Sequence, residues 1–179
     1  ILLTICIFGV IGHSHGATIY VPDSYTTIQD AINAGMNGDS IIVRPGTYYE
    51  NINFAGKGIT LRSESGPSIT RIDGGWDGTV VTFDSGEGLD SILDGFEIAN
   101  GYSKSSYPQG GGIRCFQSSP TIINNHIVEN MAQWYGGGIC VENCSPDIRN
   151  NAIVGNFSDT LGGGISAVNS ILLVRHNTI

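Results

Sequence analysis

The sequence predicts an all-β solenoid, in which short parallel strands coil into successive turns behind one short helix near the N-terminus. Two observations carry this: a unit opening on three glycines recurs at a fixed interval of 26 residues, and the segments between its turn residues are short and β-branched. Gly110-Gly111-Gly112-Ile113 returns as Gly136-Gly137-Gly138-Ile139 and as Gly162-Gly163-Gly164-Ile165. Ser119-Pro120-Thr121-Ile122-Ile123-Asn124-Asn125-His126-Ile127 matches Ser145-Pro146-Asp147-Ile148-Arg149-Asn150-Asn151-Ala152-Ile153, and a third copy runs through Val174, Asn177 and Ile179. A helical repeat of this length needs ten or more residues of 3.6-residue periodicity, and the units hold only strand-forming pieces split by Gly, Asn, Ser and Pro. Repetition at one offset stacks equivalent strands in parallel and in register, about 4.8 Å apart. The columns Ile113/Ile139/Ile165, Ile122/Ile148/Val174 and Ile127/Ile153/Ile179 should face the core. The columns Asn124/Asn150, Asn125/Asn151/Asn177 and Asn130/Asn156 are expected to form side-chain amide ladders across the bends.

From the N-terminus, Ile1 to Ile11 form an uncharged apolar run too short to span a bilayer. Residues 1–16 read as a secretory signal, with Ser14 and Gly16 as the small residues ahead of a cut before Ala17. The initiator Met and basic flank are missing, so the start is expected to be clipped; a buried N-terminal strand is the alternative. Residues 17–179 make one β-helix domain, and because Ile179 falls in mid-unit the parent protein is expected to continue. A helix is predicted over about 26–34. Thr26 and Gln29 have capping-box spacing, Ile28, Ala31 and Ile32 form an apolar face, and Gly35 offers a left-handed end. Lying just before the first strand, it would cover the open end of the coil. Short strands follow at Ile41–Tyr48, Ile52–Phe54, Gly58–Leu61, Thr79–Phe83 and Ile92–Ile98.

Composition narrows the function. The 179-residue chain carries 8 Lys+Arg against 16 Asp+Glu, a net charge of −8, which excludes a polyphosphate partner and hence nucleic acid. At 40% hydrophobic residues it can bury a core. Once the leader with Cys6 is removed, Cys115, Cys140 and Cys144 remain. Cys140 and Cys144 could be bridged across a turn, Cys115 looks like a core residue, and no spacing suggests zinc.

The run Tyr25-Thr26-Thr27-Ile28-Gln29-Asp30-Ala31-Ile32, followed by Gly38-Asp39-Ser40-Ile41-Ile42-Val43-Arg44-Pro45-Gly46-Thr47-Tyr48-Tyr49-Glu50-Asn51-Ile52, resembles the opening of right-handed parallel β-helix proteins of the pectin lyase-like superfamily. The GGGI and SPTIxNN units are similar to repeat regions of secreted proteins in that group. The resemblance covers nearly all of the mature chain and implies a right-handed parallel β-helix with a short N-terminal capping helix. It does not choose among lyases, hydrolases, esterases, tailspikes and adhesins. The catalytic strings of polygalacturonases are absent from this chain, as is the Arg-x-Pro-x-x-Arg of pectate lyases. The methylesterase pattern stops at the shared opening.

Among candidate sites, Asp73, Asp77, Asp84, Glu87, Asp90, Asp94 and Glu97 form the densest acidic stretch, read as a solvated face, with a Ca²⁺ site and a catalytic pair as lesser readings. No cofactor is otherwise implied. Arg149 and Arg175 stack in one column, where they could grip a carboxylate or be solvated, and His126 and His176 have no recognisable partner. Trp76 is read as a turn residue. The more suggestive feature is aromatic: Tyr102 and Tyr107 precede the first glycine triplet and Trp134-Tyr135 the second. Stacked turns would bring Tyr107, Trp134 and Tyr135 together as a platform for sugar rings; covering the core beside the glycines is the plainer alternative. The expected function is a secreted or cell-surface domain that binds polysaccharide or another extracellular surface. The alternatives are the front portion of a polysaccharide lyase or glycoside hydrolase with catalytic turns beyond residue 179, and an adhesin-like passenger. No membrane span is expected in the mature chain.

Overall fold

The computed structural model describes residues 16–104 and 109–179. The predicted leader, apart from Gly16, and Tyr107 lie outside the described residues. The described chain is an all-β parallel solenoid of about six turns. Four stacks of strands form its lateral faces, and all pairings between named strands are parallel. Face 1 has seven strands: Thr18–Val21, Ser40–Val43, Thr60–Ser63, Ile92–Asp94, Thr121–Ile123, Asp147–Arg149 and Leu173–Arg175. Face 2 stacks Gly46–Tyr49, Thr70–Asp73, Glu97–Ala99, His126–Val128 and Ala152–Val154. Face 3, confined to later turns, stacks Tyr102–Ser103, Met131–Ala132 and Phe157–Ser158. Face 4 stacks Ile52–Asn53, Val81–Phe83, Ile113–Phe116, Ile139–Glu142 and Ile165–Val168.

The period-2 alternation of each strand sends alternate residues inward, and identical offsets align them turn over turn. Ile113, Ile139 and Ile165 are register partners, as are Ile122, Ile148 and Val174. Ile127 pairs with Ile153 and with the earlier Ile98. The resulting columns are almost wholly buried through Ile153, and Val174 in the last described turn is 37% exposed. In the early coil, Phe54 and Phe83 stack with ring centroids 4.3 Å apart. The glycine triplets exist because their backbones nearly touch. A Cβ on Gly112 or Gly138 would stand 2.6 Å from the carbonyl oxygen of Gly138 or Gly164, one turn on.

Two of the three expected Asn ladders form. Asn125 donates its backbone N–H and Nδ2 to Asn151 Oδ1 at 2.9 and 3.2 Å, and Asn151 repeats this to Asn177 at 2.8 and 3.0 Å. Asn130 does the same to Asn156 Oδ1. The Asn124/Asn150 column does not ladder. With His176 it occupies left-handed backbone, φ 57°, 58° and 53°, and turns the chain between faces 1 and 2.

Several details differ from the sequence reading. A strand, Thr18–Val21, precedes the helix, so the helix follows the first strand. The helix is Ile28–Ala34; its N-cap is Thr27, whose hydroxyl accepts from Asp30 N at 3.1 Å, and not Thr26. Gln29 instead reaches the next turn, accepting from Asn53 N at 2.7 Å. Gly35 is extended (φ −64°, ψ 153°), since Lys57 closes the helix by donating to the carbonyls of Ile32, Asn33 and Gly35 at 2.7, 2.7 and 2.8 Å. The Ile41–Tyr48 run splits into two strands at Arg44-Pro45, and Ile92–Ile98 splits at Gly95, φ 80°. Thr70–Asp73, a strand the sequence reading omitted, has only Ile72 as an aliphatic residue.

Candidate functional site

The charged groups resolve first, because most of them hold the coil together. Glu87 is buried, its carboxylate accepting from Gly56 N, Ser85 N and Ser118 Oγ at 2.8, 2.9 and 2.7 Å, and it clasps neighbouring turns. Asp73 is also buried, accepting from Gly75 N and Asn100 Nδ2. These two acids are structural, not members of a solvated face. Arg71 stands beside Asp73 and Glu97 at 3.2 and 3.0 Å, and Arg114 beside Asp84 at 3.0 Å. Arg149 and Arg175 stack as expected, and the carboxylate they hold is Asp147, at 3.0 and 3.3 Å. Arg44 pairs with Asp23 and Glu64 and holds the Asp23 carboxyl below the usual carboxylate range. Among the described residues no group of three or more His, Cys, Asp or Glu side chains could hold a metal ion. His126 sits in register between Glu97 and Ala152 on face 2.

The three cysteines are free, so Cys140 and Cys144 are not bridged. The strand's alternation explains this. Cys140 is in register with the outward Arg114 and Ser166, whereas Cys115 faces the core in register with Val141. Cys144 packs against that core, its Sγ 3.5 Å from the Cys115 carbonyl oxygen. Burial pushes the Cys115 and Cys144 thiols up, and Cys140 up to about 12.

The aromatic surface is the remaining candidate. Trp134 is 44% exposed and Tyr135 half-buried, in the bend that leads into Gly136. They lie directly over Thr160 and Leu161: Leu161 N donates to Trp134 O at 3.0 Å, Gly136 N donates to Leu161 O at 3.0 Å, and Tyr135 and Leu161 are bridge partners. On face 3, just before that bend, Tyr102, Met131 and Phe157 form one outward column, while Ser103 and Ala132 are buried behind it. Phe157 and Leu161 are 53% and 51% exposed. The strip therefore runs across consecutive turns on one side of the coil. Met131, Phe157 and Leu161 escaped sequence reasoning as site residues. The 26-residue spacing does align Met131 with Phe157, but Tyr102 lies 29 residues before Met131, which breaks the interval. No enclosed pocket occurs among the described residues, so the surface is a lateral strip and not a cleft.

This combination of stacked parallel strands, inward aliphatic columns and amide ladders defines a parallel β-helix. The chain belongs to the DUF1565 family, described as a protein of unknown function, whose model matches residues 19–178 and which is a right-handed β-helix family. No curated protein sequence matches it. Among solved structures it is similar to a pectin methylesterase in complex with a hexasaccharide, with a TM-score of 0.58 and 12% identity. That likeness covers 89% of this chain and 54% of the methylesterase, and at this identity it establishes the fold alone.

Proposed function

We propose that this is a secreted or cell-surface β-helix domain that binds polysaccharide along the strip formed by Trp134, Tyr135 and Leu161 with the Tyr102, Met131 and Phe157 column. The observation that carries the reading is the in-register repetition of large apolar side chains on an exposed flank. Pyranose rings present apolar C–H faces that pack on such side chains, and a strip repeating about every 4.8 Å suits a ligand that itself repeats. Tyr107, from the segment leading into Gly110, belongs to the same proposal. The apolar run Ile1–Ile11 followed by Ser14 and Gly16 supports export. A glycan array with the wild-type chain and with Trp134→Ala tests binding: loss of signal in the variant supports the strip, and no signal on any glycan rejects it. N-terminal sequencing of exported protein, expected to begin at Ala17, tests secretion.

A second reading, the front portion of a carbohydrate-active enzyme, is favoured by the likeness to a methylesterase of which this chain spans about half. Ester hydrolysis or uronate cleavage by the full-length protein, set against its absence in residues 17–179, would support it.

A further inference from the structure

Resting on the polysaccharide-binding reading, we infer that the strip takes an uncharged glycan chain and discriminates against polyuronates. All 8 Lys and Arg residues of the sequence fall within the described residues, so every side-chain cation of that kind has a place in the coil. Six are already engaged. Arg44, Arg71, Arg114, Arg149 and Arg175 are ion-paired within the coil, and the Lys57 ammonium is held by three helix carbonyls. Of the other two, Arg62 stands on face 1 in register with Asp94, away from the strip. Lys104 alone lies beside it, with its ammonium 5.2 Å from the centroid of the Tyr102 ring.

A polyuronate carries a carboxylate on every sugar, so lying along several turns would bring several negative charges onto the strip. It would meet one cation, the exposed Asp159 carboxylate, and a molecule of net charge −8. Recruiting an engaged arginine would strand its partner; drawing Arg149 and Arg175 away would leave Asp147 unpaired. Apart from Lys104 and Asp159, the polar groups beside Trp134 and Phe157 include the uncharged Gln133 and Thr160, linked by Thr160 Oγ1 donating to Gln133 O at 3.1 Å. Such groups hydrogen-bond sugar hydroxyls without needing a counter-charge, while Phe157, Met131 and Trp134 cover the C–H faces.

The test compares a charged polymer with its uncharged ester on the same backbone, and with an uncharged polymer on a different one. The full chain is run in affinity electrophoresis through gels containing polygalacturonate, its highly methyl-esterified counterpart, or hydroxyethyl cellulose. The expected result is retardation by at least one uncharged polymer, with polygalacturonate weaker by about tenfold or more and the gap narrowing as salt screens the repulsion. Phe157→Ala, at an exposed position, should abolish most of the retardation with an unchanged circular dichroism spectrum, and Lys104→Gln should leave binding to the uncharged polymer intact. Polygalacturonate binding as tightly as the ester, and falling with Lys104→Gln, would overturn the charge discrimination while leaving polysaccharide binding standing. Retardation by no polymer would overturn both.

Discussion

Asn150 and Asn151 are adjacent, identical and differently employed. Asn150 bends the chain at φ 58°, whereas Asn151, 2% exposed, accepts from Asn125 and donates to the Ile122 carbonyl at 2.9 Å. Sequence columns could not separate these roles, because an Asn side chain suits both left-handed backbone and an amide ladder. The cue was His176, which continues the first column and cannot extend an amide ladder. Urea unfolding should separate the two. Asn150→Val, forcing a β-branched residue into left-handed backbone, should cost about 1–2 kcal/mol, and Asn150→Gly much less. Asn151→Ala leaves buried donors and acceptors unpaired and should cost about 2–4 kcal/mol. The thiols give a pH dependence. Burial raises their folded pKa above the unfolded value of 9.0, so the folded state holds the proton more tightly, to about 12 for Cys140. Their contribution to stability is complete below pH 9.0 and is lost as pH climbs toward about 12. Denaturant midpoints measured from neutral to alkaline pH should fall across that window, and Cys140→Ser should shallow the fall.

The helix shows how an element can be predicted for partly wrong reasons. Its existence was legible from Ile28, Ala31 and Ile32, which are all buried. Its ends were not, because the groups that finish it come from the following turn: Glu50 accepts from Ile28 N and Gln29 N, both at 2.9 Å, and Lys57 takes the last carbonyls. Local spacing cannot register partners some twenty residues away. Lys57→Met, which keeps the aliphatic stem and removes the charge, should destabilise the domain by about 1–2 kcal/mol in thermal unfolding. The glycine triplets, by contrast, were read directly, since only close backbone approach recurs as three glycines at a constant interval. Gly138→Ala should cost about 1–3 kcal/mol or more, because the obstacle to its Cβ is backbone and cannot swing aside. The strip was half legible: Trp134 and Tyr135 stand out as aromatics, but Phe157 gains meaning only when Met131 and Tyr102 are seen beneath it.

Across the molecule, neighbour-to-neighbour stacking makes stability a property of position along the coil. Central strands such as Ile113–Phe116 and Ile139–Glu142 are paired on both sides. Amide hydrogen exchange should therefore be slow at strands paired on both sides, such as Ile92–Asp94, Ile113–Phe116, Thr121–Ile123 and Ile139–Glu142, and rapid exchange there would contradict the stacked-turn account. The overall architecture was legible from the later repeats because those turns have equal length. Earlier turns hid theirs: the face 1 partners Thr18, Ser40, Thr60, Ile92, Thr121, Asp147 and Leu173 are separated by 22, 20, 32, 29, 26 and 26 residues. Strand register nonetheless holds through every step, so the extra residues are absorbed at the corners. Length is thus a free variable of this architecture: excising one whole 26-residue lap should shorten the protein like a link taken from a chain, while the spacing of the remaining laps stays as it was.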